Sequence, residues 1–186
     1  MSKVKYGLKN VHIFPITKTT EGVEEYGEVI KVPGAVSMSM EPIGEVSSFY
    51  ADNTVYYSMG SSAGYEGEFE FAMIPDAVLE KCLGYKRDKN HALYEDNAPK
   101  ASNFAIAYQF EHDDKQSRHL FYNVSAGKPK ISGNTTEDKT EPDTETLPMT
   151  AGANGKGVIK VRLETGDTGY DTFFTAPYKI VDTPSI

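Results

Sequence analysis

The sequence predicts a mainly β protein, a sandwich or barrel with one short flanking helix. Three observations carry that expectation. Apolar residues recur at every second position through most of the chain. Clusters of Gly, Pro, Asn and Asp, which supply the backbone angles of turns, separate these runs at short intervals. A single segment has the punctuation of a helix. The 186 residues are enough for one domain with its own core, and the whole chain, 1–186, reads as one unit.

Taken in order, the first strands are expected at residues 11–16 and 26–32. Val36, Met38 and Met40 then alternate with Ser37, Ser39 and Glu41, the pattern of a half-buried strand. Residues 44–64 form a long excursion rich in Phe, Tyr and small polar residues, with a strand candidate at 55–59. Residues 65–72 alternate strictly: Tyr65, Phe69 and Phe71 point one way, Glu66, Glu68 and Glu70 the other. Pro75 and Asp76 open a helix over 76–83 that Gly84 closes, and Val78, Leu79, Cys82 and Leu83 share its apolar face. Further half-buried strands are expected where Phe104, Ile106, Tyr108 and Phe110 alternate with Ala105, Ala107, Gln109 and Glu111, and where Ile159, Val161 and Leu163 alternate with Lys160, Arg162 and Glu164; residues 118–124 are a further strand candidate. Residues 132–146, with five acids against Lys139, read as a solvated loop, and 151–157 as a Gly-rich linker too small to pack.

Charge and cysteine usage narrow the function. Lys and Arg number 19 against 27 Asp and Glu, a formal charge of −8 that disfavours binding to nucleic-acid phosphate. It does not exclude a protein that lets DNA pass. The lone Cys82 excludes a disulfide framework within one copy, suits a reducing compartment and reads as a small buried hydrophobe. No signal-like or membrane-spanning apolar run is present, so a soluble, unexported protein without membrane contact is expected.

The apparent catalytic motifs fail on context. Gly60-Ser61-Ser62-Ala63-Gly64 spells a nucleophile elbow, but an alternating strand follows where that motif needs a helix. Gly155-Lys156 lacks the Ser or Thr and the helix of a phosphate loop. Glu111, His112, Asp113, Asp114 and His119 offer ligand atoms, but lie where turn chemistry is expected between two strands, and His12 and His91 pair with no nucleophile. No enzyme, cofactor or metal is expected.

Two features remain. Three glutamates in a row on one strand repel one another, which an ordinary wet face or a deliberately negative wall would both explain. The aromatic excursion has the composition of a protein-contact loop. Here the chain resembles a known family. The strings Gly7-Leu8-Lys9-Asn10-Val11-His12, Pro33-Gly34-Ala35-Val36-Ser37-Met38-Ser39-Met40-Glu41-Pro42, Phe49-Tyr50-Ala51-Asp52-Asn53 with Tyr56-Tyr57, Gly64-Tyr65-Glu66-Gly67, Ile74-Pro75-Asp76, Arg118-His119-Leu120-Phe121-Tyr122-Asn123 and Glu141-Pro142-Asp143-Thr144-Glu145-Thr146-Leu147 resemble, in their order, the major tail proteins of bacteriophages with long non-contractile tails.

The resemblance implies a tail-tube fold and a structural virion protein, assembled in the host cytoplasm, whose hexameric rings stack into a conduit for genome ejection. Its partners would be other copies of itself, the tape-measure protein, tail-terminator or tail-tip proteins, and DNA passing without specific binding. Under that reading Glu66, Glu68 and Glu70, with Ser37, Ser39 and Glu41 beside them if the two strands pair, are lumen-facing candidates. The resemblance also makes the excursion at 44–64 a long projecting hairpin loop that contacts a neighbouring ring, with Phe49, Tyr50, Asp52, Asn53, Tyr56 and Tyr57 as ring-stacking candidates. The alternative is a β-sandwich binding module, such as a receptor- or carbohydrate-binding virion component; the absence of tryptophan counts against sugar.

Overall fold

The computed structural model describes residues 6–21, 23–44, 46–51, 54–60, 63–133 and 143–181, of which 46–51 and 54–60 are described by their backbone alone. Among the described residues thirteen strands and one helix follow in the order β1 (Leu8–Thr20), β2 (Val23–Tyr26), β3 (Ile30–Val32), β4 (Ala35–Ile43), β5 (Val46–Ala51), β6 (Thr54–Gly60), β7 (Gly64–Phe71), α1 (Asp76–Cys82), β8 (Lys86–Arg87), β9 (Leu93–Tyr94), β10 (Phe104–Phe110), β11 (Arg118–Ala126), β12 (Glu145–Gly152) and β13 (Lys160–Leu163). The protein is mainly β. Nine strands make one antiparallel sheet in the order β2-β1-β10-β11-β12-β7-β4, with β3 beside β1 and β13 beside β11; β5-β6 and β8-β9 are separate two-stranded ribbons.

Strand sharing lets one sheet supply two layers. The first half of β11 pairs with β13 and its second half with β12. The two ends of the sheet then share a core: Phe69 and Phe71 of β7 and Leu147 and Met149 of β12 pack with Val11 and Ile13 of β1 and Ile106 and Tyr108 of β10. Burying a side chain the size of Phe69 contributes roughly 1.5–3 kcal/mol. Helix α1 seals this core with Val78 and Cys82, as its apolar face predicts. Burial pushes the Cys82 thiol up to about 12, so it packs as a hydrophobe and stays protonated.

Three expectations need correction. Strand β10 is not half-buried: Ala105, Ala107 and Gln109 are buried as well as Phe104 and Ile106. Residues 164–181 lie across the second face, where Phe14, Ala105, Ala107, Leu120, Tyr122 and Leu163 enclose Phe173. Arg118 donates to the Tyr170 carbonyl and lies over the Tyr170 and Phe174 rings, and the Tyr122 hydroxyl donates to the Tyr178 carbonyl at 2.8 Å. Second, the supposed loop and linker on either side of residue 147 contain β12, a strand in the middle of the sheet whose Leu147, Met149 and Ala151 are buried. Its Pro148 is tolerated because the residue's polar groups face β11 where that strand is ending, its carbonyl accepting from Gly127 N–H at 2.9 Å, so no ladder bond to β7 is lost. The Gly-rich run beyond is an ordered turn, with Asn154 Oδ1 accepting from the N–H groups of Lys156 and Val158. Third, Val36 leaves the apolar row of β4, because the register slips between Ala35 and Ser37; Met38 and Met40 keep their inward positions and Val36 is exposed.

Candidate functional site

The outward face of β7 is the most unusual surface of the described chain. Residues directly opposite on neighbouring antiparallel strands share a face. The register sets Glu41 of β4 opposite Glu66, Ser39 opposite Glu68 and Ser37 opposite Glu70; across the other edge, Thr150, Pro148 and Thr146 of β12 stand opposite the same three glutamates. The strands therefore pair as the alternation requires, and all six lumen candidates come together. Ser125 of β11 extends the row beyond Thr150. Together Glu41, Glu66, Glu68, Ser125, Pro148 and Thr150 line a shallow open groove.

Within this face the acids differ. Glu41 and Glu66 are like charges directly opposite each other, an arrangement that costs stability. Among the described residues none of Glu41, Glu66 and Glu68 forms an ion pair. Glu70 is anchored instead: its carboxylate accepts from Thr144 Oγ1 at 2.6 Å and from Ser37 Oγ at 2.7 Å. The Thr144 bond, then the Ser37 bond, hold its carboxyl below the usual range. Glu70 thus fixes the start of β12 to β7, aided by Glu145, whose carboxylate accepts from Ile74 N–H at 2.6 Å. Sequence reading treated the three glutamates as equivalent, and the partner that separates them lies 74 positions away.

Gly67, between Glu66 and Glu68, is a determinant that sequence reading missed. A Cβ there would stand 1.9 Å from the Ser39 carbonyl oxygen, so β4 can approach β7 only over a glycine. The signal available was a glycine inside an otherwise regular strand, which marks close backbone approach.

The ring-stacking candidates belong to the segment that joins β4 to β7. Ile43 is opposite Gly64, Ala63 N–H donates to the Ile43 carbonyl at 2.8 Å, and β5 pairs with β6 from Val46 opposite Gly60 onward. In chain order the β5-β6 hairpin thus follows β4 and precedes β7, leaving that strand pair at its Ile43–Gly64 end. Phe49 and Tyr50 lie in β5 and Tyr56 and Tyr57 in β6, with Phe49 opposite Tyr57. Asp52 and Asn53 lie outside the described residues.

The rejected chemistry is replaced by structural roles. Strand β7 starts at Gly64, so no helix follows the elbow-like string. Asp113 organises the β10-β11 turn, accepting from the N–H groups of Lys115 and Ser117. Among the described residues no three His, Cys, Asp or Glu gather as a metal site, and no helix is long and apolar enough to cross a membrane.

A family model described as phage tail tube protein matches residues 1–159. The chain belongs to the phage tail tube protein family. This tail tube protein is accordingly a structural component of the phage tail, not an enzyme, and self-assembly within the tail goes with the family. No curated protein gives a significant match. Among solved structures, a chain of the anti-feeding prophage (AFP) baseplate, a 6-fold symmetrised cryo-EM structure, is similar with a TM-score of 0.42 and 10% identity, covering 89% of this chain and 98% of that one. The match to the family stops before β13, so the part of this tail tube protein that covers the second face of β10 lies beyond the matched residues.

Proposed function

We propose that six copies close into a ring and that rings stack into the tail tube, with the β4-β7-β12 outward face turned to the lumen and the β5-β6 hairpin reaching the next ring. The observation that carries this reading is the acidic face, which among the described residues holds no ion pair: Glu41, Glu66 and Glu68 lie together on an exposed surface at an electrostatic cost that packing does not explain. A bore lined by carboxylates gives no counterion-release gain to phosphate, so a duplex slides on water and ions without being held. The tape-measure protein occupies the same bore before DNA, and terminator and tip proteins cap the two ends of the stack.

The purified chain tests the assembly by light scattering and negative-stain imaging over a rising concentration series. Rings and tubes are the expected products. A species that stays monomeric at the highest concentration reached would overturn the proposal.

A further inference from the structure

The two ends of the β4-β7 ribbon are unlike. At the Ile43–Gly64 end the ribbon runs on into the β5-β6 hairpin. At the opposite end, where Ala35 pairs with Phe71 and Ala72 N–H donates to the Gly34 carbonyl at 2.7 Å, the chain exposes large apolar side chains: Val36 is 51% and Met73 70% exposed. Ile131, 83% exposed, adjoins Lys130, which bridges to Thr146; Thr146 is opposite Glu70, and Glu70 is opposite Ser37. Three strand intervals of about 4.8 Å therefore separate the Val36 and Ile131 sides, roughly 14 Å. That is the width of a two-stranded hairpin with its side chains. Three of the seven exposed large hydrophobics of the described chain thus lie at one end of the sheet.

We infer that Val36, Met73 and Ile131 form the acceptor for the β5-β6 hairpin of a second copy in the neighbouring ring. The inference rests on the proposed tube. A stack that grows in one direction joins two different surfaces at every contact, one on each end of the subunit. The hairpin is one of these, and it leaves the ribbon at the end opposite the apolar cluster. The chemistry also matches: residues 46–60 hold Phe49, Tyr50, Tyr56 and Tyr57 with Asp52 as the sole charge, and such a ribbon finds apolar contact on Val, Met and Ile. About 20 Å of hairpin, six residues at roughly 3.3 Å each, is long enough to lie across the cluster.

Cysteine cross-linking tests the contact with little background, because the native Cys82 is buried. M73C is combined with A51C and, separately, with V55C; tubes are checked by imaging, oxidised, and run without reductant. The expected result is a ladder of dimer, trimer and longer species, since each copy bonds to the next ring. Tubes that give no cross-link, a series that closes at the hexamer, or efficient cross-linking to K156C in place of M73C would overturn the acceptor. If the cysteine variants do not assemble, M73E in the otherwise native chain gives the answer: an unchanged melting temperature and rings that no longer stack support the acceptor, and normal tubes refute it. Failure of the native chain to form rings would instead strike the proposed function.

Discussion

Strands β7 and β10 look alike in sequence and behave differently in the fold. Both alternate large apolar residues with something else. In β7 the something else is chiefly glutamate, and its second face stays open to solvent; in β10 it is Ala105, Ala107 and Gln109, and residues 164–181 cover the two alanines. The apolar partners give no warning of this, since Phe69 of β7 and Ile106 of β10 are both buried. What distinguishes the faces is the size and charge of the residues between: alanine leaves room for a covering layer, and carboxylates forbid one. Half-burial is therefore a property of the second face, to be argued from its own residues.

Exchanging the characters of the two strands puts this contrast under the greatest strain. A107E would place a carboxylate in the buried layer between β10 and its covering segment, and is expected to abolish folding, read as loss of the cooperative thermal transition. E68A is expected to change stability by no more than about 0.5 kcal/mol, as for an exposed site. A stable A107E protein would show that the covering layer is loose. Next in size is F173A, which empties the centre of that layer and is expected to cost about 3–5 kcal/mol in denaturant unfolding.

A pH series probes the same layer more gently. His12 stacks on Phe174 at 4.7 Å, its Nδ1–H donates to the Asn10 carbonyl, and the charged groups acting on it are Lys31 of β3 and Arg118 of β11, both cationic. Burial chiefly, opposed by the Asn10 bond and reinforced by the two cations, holds its pKa below 6.5. The unfolded chain therefore binds more protons between 6.5 and the lower folded value, so stability falls as pH drops through that window. H12Q is expected to flatten the dependence, measured as melting temperature from pH 7.5 to 5. The smallest effect separates the acids of β7. E70Q weakens the bonds to Ser37 and Thr144 and is expected to lower the melting temperature more than E68Q, which touches neither bond.

Much of this fold was legible locally. The alternation in β4 and β7, the punctuation of α1 and the buried Cys82 all follow from neighbouring residues. The β4-β7 pairing that gathers Ser37, Ser39 and Glu41 beside the glutamates entered only as a condition, because a period of two fixes the face a residue takes and not the strand that lies beside it. Strand β12 was hidden because Pro148 interrupts a short run between acidic and Gly-rich stretches, and only its non-bonding register makes the proline harmless. The covering of β10 was hidden for another reason: residues 164–181 have no regular period, and their Tyr and Phe contacts with β1 and β11 are set by tertiary structure alone.

The proposed tube has the open, acidic face of β7 as the wall of its bore. A cryo-EM map of tubes assembled from the purified chain decides this. Glu41, Glu66 and Glu68 are expected at the inner radius, with residues 164–181 farther from the axis. A map with those glutamates on the outer surface, or buried between subunits, would contradict it.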